Sequence, residues 1–163
     1  MRRSIVLAAL VAGLLLSTAP AVFAGGIIHH VSAGSPDICA ALGARPGCDA
    51  NFSLVATQYA DGRVTGEFVD RFGKGFGGTR AVIDCLSVVG NEAWVSGVII
   101  SGHADGHDLT GLPISTRVVD NGTSTNDPPD QAGFSRRGDS AYPCTAQPDD
   151  DLFDLLQGQV TVE

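Results

Sequence analysis

Apolar and polar residues alternate with a period of two along most of this chain, and helical periodicity is nearly absent. Residues 51–60 (NFSLVATQYA) and 63–70 (RVTGEFVD) are two alternating runs separated by Asp61-Gly62. Asp-Gly in that position predicts a hairpin with a type I′ turn, because this turn needs positive φ at both central residues. Centred there, the pairing sets Tyr59 opposite Val64, Thr57 opposite Gly66 and Val55 opposite Phe68, all six on one core-facing side. Gln58, Thr65 and Glu67 then take the other side.

A second hairpin is predicted from residues 81–89 (AVIDCLSVV), a Gly90-Asn91 turn and residues 92–100 (EAWVSGVII). Strict alternation puts Val82, Leu86, Val88, Ala93, Val95 and Ile99 on one side and Ile83, Cys85, Val89, Trp94, Val98 and Ile100 on the other. Both sides are largely apolar, so another part of the chain is expected to cover the second one. Residues 73–78 between the hairpins form a glycine-rich loop, residues 112–120 (LPISTRVVD) a further strand, and residues 121–130 (NGTSTNDPPD) a turn and loop. Residues 133–142 hold at most a short strand. Pro148 and Asp149-Asp150-Asp151 ahead of Leu152, Phe153, Leu155 and Leu156 predict the start of a short helix, with Asp149 as its cap. Residues 27–32 and 159–163 alternate like a first and a last strand.

About seven short strands in meander order predict an all-β fold. The leading architecture is a small antiparallel meander barrel with one short C-terminal helix or helical turn, its first and last strands pairing to remove the sheet edges. An open β-sandwich is the alternative. The chain shows no internal repeat and no interdomain linker, so residues 25–163 are expected to form a single β domain.

The first 24 residues follow a different rule. Arg2-Arg3, a continuous apolar run from Ile5 to Leu16 and the sequence Val22-Phe23-Ala24 have the layout of a secretory signal peptide. The apolar run, about 12 residues long, is too short to span the roughly 30 Å of a bilayer core, so stable membrane insertion after its removal is not expected. Mature protein then begins near Gly25 in a secreted, periplasmic or otherwise extracytoplasmic location. Ten Lys and Arg against 18 Asp and Glu give a formal net charge of -8, and losing the two leader arginines makes it more negative still. An acidic chain of this kind lacks the basic face that nucleic acid requires.

Four cysteines, Cys39, Cys48, Cys85 and Cys144, follow the leader. An even number in an oxidising compartment predicts two disulfides. Of the three pairings, Cys39–Cys48, closing a local loop with Gly43, Pro46 and Gly47, leaves Cys85–Cys144 as a long-range clip. A clip at Cys144 would hold the following apolar segment over the second hairpin. No C-x₂-C pair supports a four-thiolate metal site.

The run 84–99 (DCLSVVGNEAWVSGVI), followed by Val119-Asp120-Asn121-Gly122, is similar to small exported bacterial β-proteins of uncharacterised function. In these the Tyr59-Ala60-Asp61-Gly62 hairpin and the Gly-Asn hairpin come in the same order. The resemblance covers about residues 50–122. It implies secretion and an all-β fold, and it brings no catalytic motif.

Chemistry is most concentrated in residues 102–108 (GHADGHD). On an extended chain His103, Asp105 and His107 point the same way, and with Asp108 they offer nitrogen and oxygen ligands to a divalent metal. The structural alternative is a solvated loop after a strand. His29-His30 is a second place; strand neighbours face opposite sides, so both cannot serve one site without a bulge. The loop from Asp120 to Asp127 carries oxygen ligands suited to calcium but does not match the D-x-[DN]-x-[DN]-G pattern. Asn51-Phe52-Ser53 and Asn121-Gly122-Thr123 match the glycosylation pattern. No G-x-S-x-G elbow is present, and Lys74 sits in a glycine loop without the strand–helix unit of a phosphate-binding motif.

These features order three functions. First comes a secreted binding or interaction module holding a small apolar ligand at a barrel mouth or under a covered sheet face. A metal-dependent enzyme or metal carrier using His103 and His107 comes second, and a purely structural surface protein third.

Overall fold

The computed structural model describes residues 25–43, 46–73, 76–124 and 126–163. The expected leader and Lys74 lie outside the described residues. Among the described residues eleven strands run in chain order: β1 (Ile27–Ser35), β2 (Ala50–Tyr59), β3 (Val64–Phe72), β4 (Gly77–Val89), β5 (Glu92–Ala104), β6 (His107–Asp108), β7 (Pro113–Val119), β8 (Gln131–Gly133), β9 (Arg136–Arg137), β10 (Leu152–Asp154) and β11 (Gln159–Val162). All pairings are antiparallel and belong to one sheet, ordered β10-β8-β7-β5-β4-β3-β2-β1-β11, with β6 on β5 and β9 on β7. The sheet curls into a half-barrel around an interior of apolar side chains from nearly every strand, among them Val31, Leu54, Phe68, Ile83, Ile99, Ile114 and Val160.

The curl returns the last strand to the first, as the alternation at the two ends predicts: Val31 pairs with Val162 and Ala33 with Val160. The outermost strands, β10 and β11, are neighbours in sequence. Carboxylates stitch the seam on the far side of β11. Asp130 accepts the Val160 amide at 2.6 Å and the Asn121 amide at 2.8 Å, and Asp120 accepts the Val162 amide at 3.1 Å. Backbone donors on a free edge would otherwise template association; here buried Asp130 occupies one of them.

Three turns show how local chemistry sets register. Gly90-Asn91 forms the predicted two-residue turn, pairing Val89 with Glu92; Gly90 alone has positive φ (61°), which fits a type II′ turn. The Asp61-Gly62 hairpin differs from expectation. Tyr59 N–H donates to Arg63 O, so the loop has three residues, and only Gly62 has positive φ (85°). A three-residue loop with a left-handed glycine shifts the register by one. Leu54, not Val55, therefore faces Phe68; Leu54 is buried and Val55 stands 47% exposed. The two-residue type I′ turn occurs instead at Asp105-Gly106, where φ is 49° and 80°.

Bulges correct the simple alternation of the second hairpin. Asp84 is the extra residue on β4 and Ile100 on β5. Each reverses which parity faces inward, so Ile83 joins Leu86 in the core and Val82 stays outside. Gly97 sits beside the first bulge, where a Cβ would run into the Val82 carbonyl.

The expected disulfides are both present, Cys39–Cys48 and Cys85–Cys144, with Cα separations of 5.9 and 5.8 Å. Among the described residues, helical turns are confined to two short 3-10 segments, Gly138–Ser140 and Cys144–Ala146. The helix expected from Pro148 onward is absent: Leu152–Asp154 pairs with β8, and Phe153 packs on Phe134 with ring centroids 4.7 Å apart. A short apolar run does not distinguish strand from helix by itself, and here an open strand edge supplied the partner.

Candidate functional site

Every phenylalanine after residue 24, six in all, gathers at one end of the half-barrel. Phe52 reaches this end from β2, Phe68 and Phe72 from β3, Phe134 from the segment after β8 and Phe153 from β10. With Ile38, Leu42 and Thr116 they line a narrow, partly open pocket of about 30 Å³. A larger cleft of about 190 Å³ adjoins it, sharing Leu42 and Phe72 and adding Cys48, Phe76, Ala104, Asp105 and Arg137. The Cys39–Cys48 disulfide fixes one wall, since Cys48 lines the cleft and Cys39 Sγ accepts the Ala50 amide at 3.3 Å. The Asp105-Gly106 turn supplies the facing rim.

A buried polar group underlies this apolar lining. Asp70 points inward from β3 and is 3% exposed. A bare buried carboxylate would be prohibitively costly, and Asp70 is saturated. One oxygen accepts the Thr79 amide and the Thr79 hydroxyl, both at 2.7 Å. The other accepts Ser135 Oγ at 3.2 Å and an ion-paired Arg137 Nη2. Arg137 also lies over the Phe72 ring, 4.9 Å from its centroid. Its Nε is buried and meets no acceptor among the described residues.

The outer face of β4, β5 and β7 is covered only in part. Cys144 anchors the passing segment there; Trp94 Nε1 donates to Pro148 O at 3.0 Å, and Arg117 lies over Trp94 while bonding Glu92 and Asp149, each at 2.7 Å. Burial pushes the pKa of the Tyr142 hydroxyl well above its ordinary value, keeping it protonated, and nearby Asp150 adds to the effect. Beyond this cover Val82, Val89, Val98 and Ile100 remain between 42% and 54% exposed.

The residues singled out from sequence fall as follows. The hairpin divides the 103–108 cluster: His103 pairs with Asp108 and Ala104 with His107, which puts the two imidazoles on opposite faces and leaves Asp105 at the tip. Hydrogen bonds from Thr110 hold the Asp108 carboxyl below its usual range, with a smaller contribution from His103. Among the described residues no group of three or more His, Cys, Asp or Glu side chains is arranged to hold a metal ion. His30 Nδ1 lies 3.0 Å from Thr57 Oγ1 and His29 Nδ1 3.3 Å from the Glu163 carbonyl, so both brace strand ends, with Ile28 the bulged residue before them.

Within the 120–127 loop the carboxylates are taken up by backbone amides, Asp120 also holding that of Val162. Asp120 accepts the Gly122 amide and Asp127 that of Ser124. Asp149 and Asp150 pair with Arg117 and Arg136. Asn51 lies within β2, and the Asn121 side-chain amide donates to Pro129 O at 2.7 Å.

Sequence reasoning missed Asp70, Arg137 and the phenylalanine cluster. The six rings come from distant segments and share no local spacing; the one available signal was Asp70, an acid in phase with Phe68 at the end of the strand predicted over residues 63–70. Among the described residues no helix is long and apolar enough to cross a membrane. Comparison with known protein families, with curated proteins and with solved structures gives no match.

Proposed function

We propose that this chain is an extracytoplasmic binding module that holds a small apolar ligand at the phenylalanine-lined end of the half-barrel. The leader pattern and the two disulfides support export to an oxidising compartment. The observation that carries the reading is the convergence of six phenylalanines on two adjoining cavities. Cores pack at crystal-like density, so aromatic rings left bordering open space at a barrel end form a preformed apolar site. A cavity of about 150 Å³ suffices for benzene, which sets the size class: one small ring or a short branched chain, not a lipid.

The test is a titration of the oxidised protein with toluene, followed by NMR of the methyl groups. Ile38 and Leu42 signals should shift in a saturable way, while Val82 and Val89 on the outer face stay still. Leu42→Trp, which fills the shared wall, should abolish the shifts. Unmoved Ile38 and Leu42 methyls at saturating toluene would refute the proposal.

A further inference from the structure

Among the described residues the cleft has one charged donor, Arg137, and its capacity is largely unspent. Arg137 carries five N–H donors on a planar fork, and among the described residues its side chain makes a single hydrogen bond, Nη2 to Asp70. The partner does not need the rest of the fork. Asp70 already accepts from Thr79 twice and from Ser135, so its oxygens are satisfied with one arginine nitrogen. Arg137 Nε is buried without an acceptor among the described residues, whereas Nη1 makes no hydrogen bond there and is not buried, so it is the nitrogen a ligand can reach. The residue is held in place by Asp70 on one side and the Phe72 ring on the other, and it lines the larger cleft.

We infer that the ligand of this cleft is a small aromatic or branched aliphatic carboxylate, its apolar body among Phe72, Phe76 and Leu42 and its carboxylate on the free edge of Arg137. This rests on the apolar-ligand reading above and adds the charge. A guanidinium edge matches two carboxylate oxygens geometrically, and such bonds are about twice as strong as neutral ones. Asp105, the other charged residue of the lining among the described residues, is exposed at a turn tip, where water screens it. It disfavours an anion approaching along that rim and so leaves the Arg137 side as the anchor.

The experiment compares phenylacetate with its uncharged counterpart phenylacetamide, titrated into the oxidised full chain at neutral pH and constant ionic strength. Phenylacetate should bind about 10-fold or more tightly, and the Arg137 guanidinium N–H resonances should move on its addition. In the double variant Asp70→Asn/Arg137→Gln, which removes both charges together, the preference should fall to about unity while phenylacetamide binding persists. Arg137→Lys, which keeps the charge and loses the fork, should give an intermediate preference. Equal or tighter binding of the amide, stationary guanidinium N–H signals, or a preference surviving in the double variant would each overturn the carboxylate assignment and leave the apolar cleft standing. Failure of both compounds to bind, with Ile38 and Leu42 methyls also unmoved by toluene, would overturn the cleft itself.

Discussion

Replacing Asp130 by alanine tests whether carboxylates hold the half-barrel's seam. Asp130 is 6% exposed and accepts two backbone amides, Asn121 at 2.8 Å and Val160 at 2.6 Å. Hydrogen bonds to a charged group contribute about 1.5–3 kcal/mol each, and truncation strands both donors. The Val160 side is buried, so water does not readily replace the lost acceptor. The expected loss is therefore about 3–5 kcal/mol, or a fall in Tm of order 10 °C. Asp130→Asn keeps one good acceptor and should lose about half as much. Urea denaturation gives the global value. Amide hydrogen exchange locates it: protection at Val160 should drop below that of core amides such as Leu54, because β11 would detach before the sheet unfolds. A loss under about 1 kcal/mol, or undiminished protection at Val160, would show that β11 is held by its pairing with β1 alone.

Three further expectations follow from burial, connectivity and charge. Leu54→Ala should cost about 2–5 kcal/mol and Val55→Ala under about 1; the reverse order in denaturant titration would restore the register that Asp61-Gly62 predicts from sequence. Cys85→Ser/Cys144→Ser should lose about 4 kcal/mol and Cys39→Ser/Cys48→Ser about 2.5, in line with sequence separations of 59 and 9; calorimetry of the two variants, with a larger loss from the short loop, would contradict loop entropy as the cause. The Asp108 carboxyl should titrate below its ordinary range, so any stabilisation it gives is present above the unfolded value and lost as pH falls through the folded one. NMR titration should show that midpoint rising in Thr110→Val and moving less in His103→Ala; a larger effect from His103 would reverse the ranking of causes.

The sequence made the meander, the pairing of first and last strands and both disulfides legible, because each follows from local alternation or from counting. Register was legible only where the turn left no choice. Gly90-Asn91 forms a two-residue loop, whereas Asp-Gly closes a three-residue loop at 61–62 and a two-residue loop at 105–106. The same dipeptide serves both, and packing decides between them. At 61–62 the three-residue loop buries Leu54 opposite Phe68, which the two-residue loop would have turned to solvent. At 105–106 the chain reverses between the two histidines, so a ligand spacing read along an extended strand does not survive. The cleft was illegible for a different reason. Its rings and its arginine are separated by up to about 100 residues and meet only because the sheet curls.

That curl joins Val31 to Val162, partners about 130 residues apart along the chain. A search over such a span is what makes topologies of this kind slow to form. The bond between Cys85 and Cys144 lies inside the span and removes 59 residues from the path, leaving about 70. By loop-closure scaling the shortcut is worth about 0.5 kcal/mol for the final encounter alone. Oxidation thus acts as a kinetic primer as well as a clamp: a chain that meets its thiol oxidant early reaches ring closure with half the distance already covered.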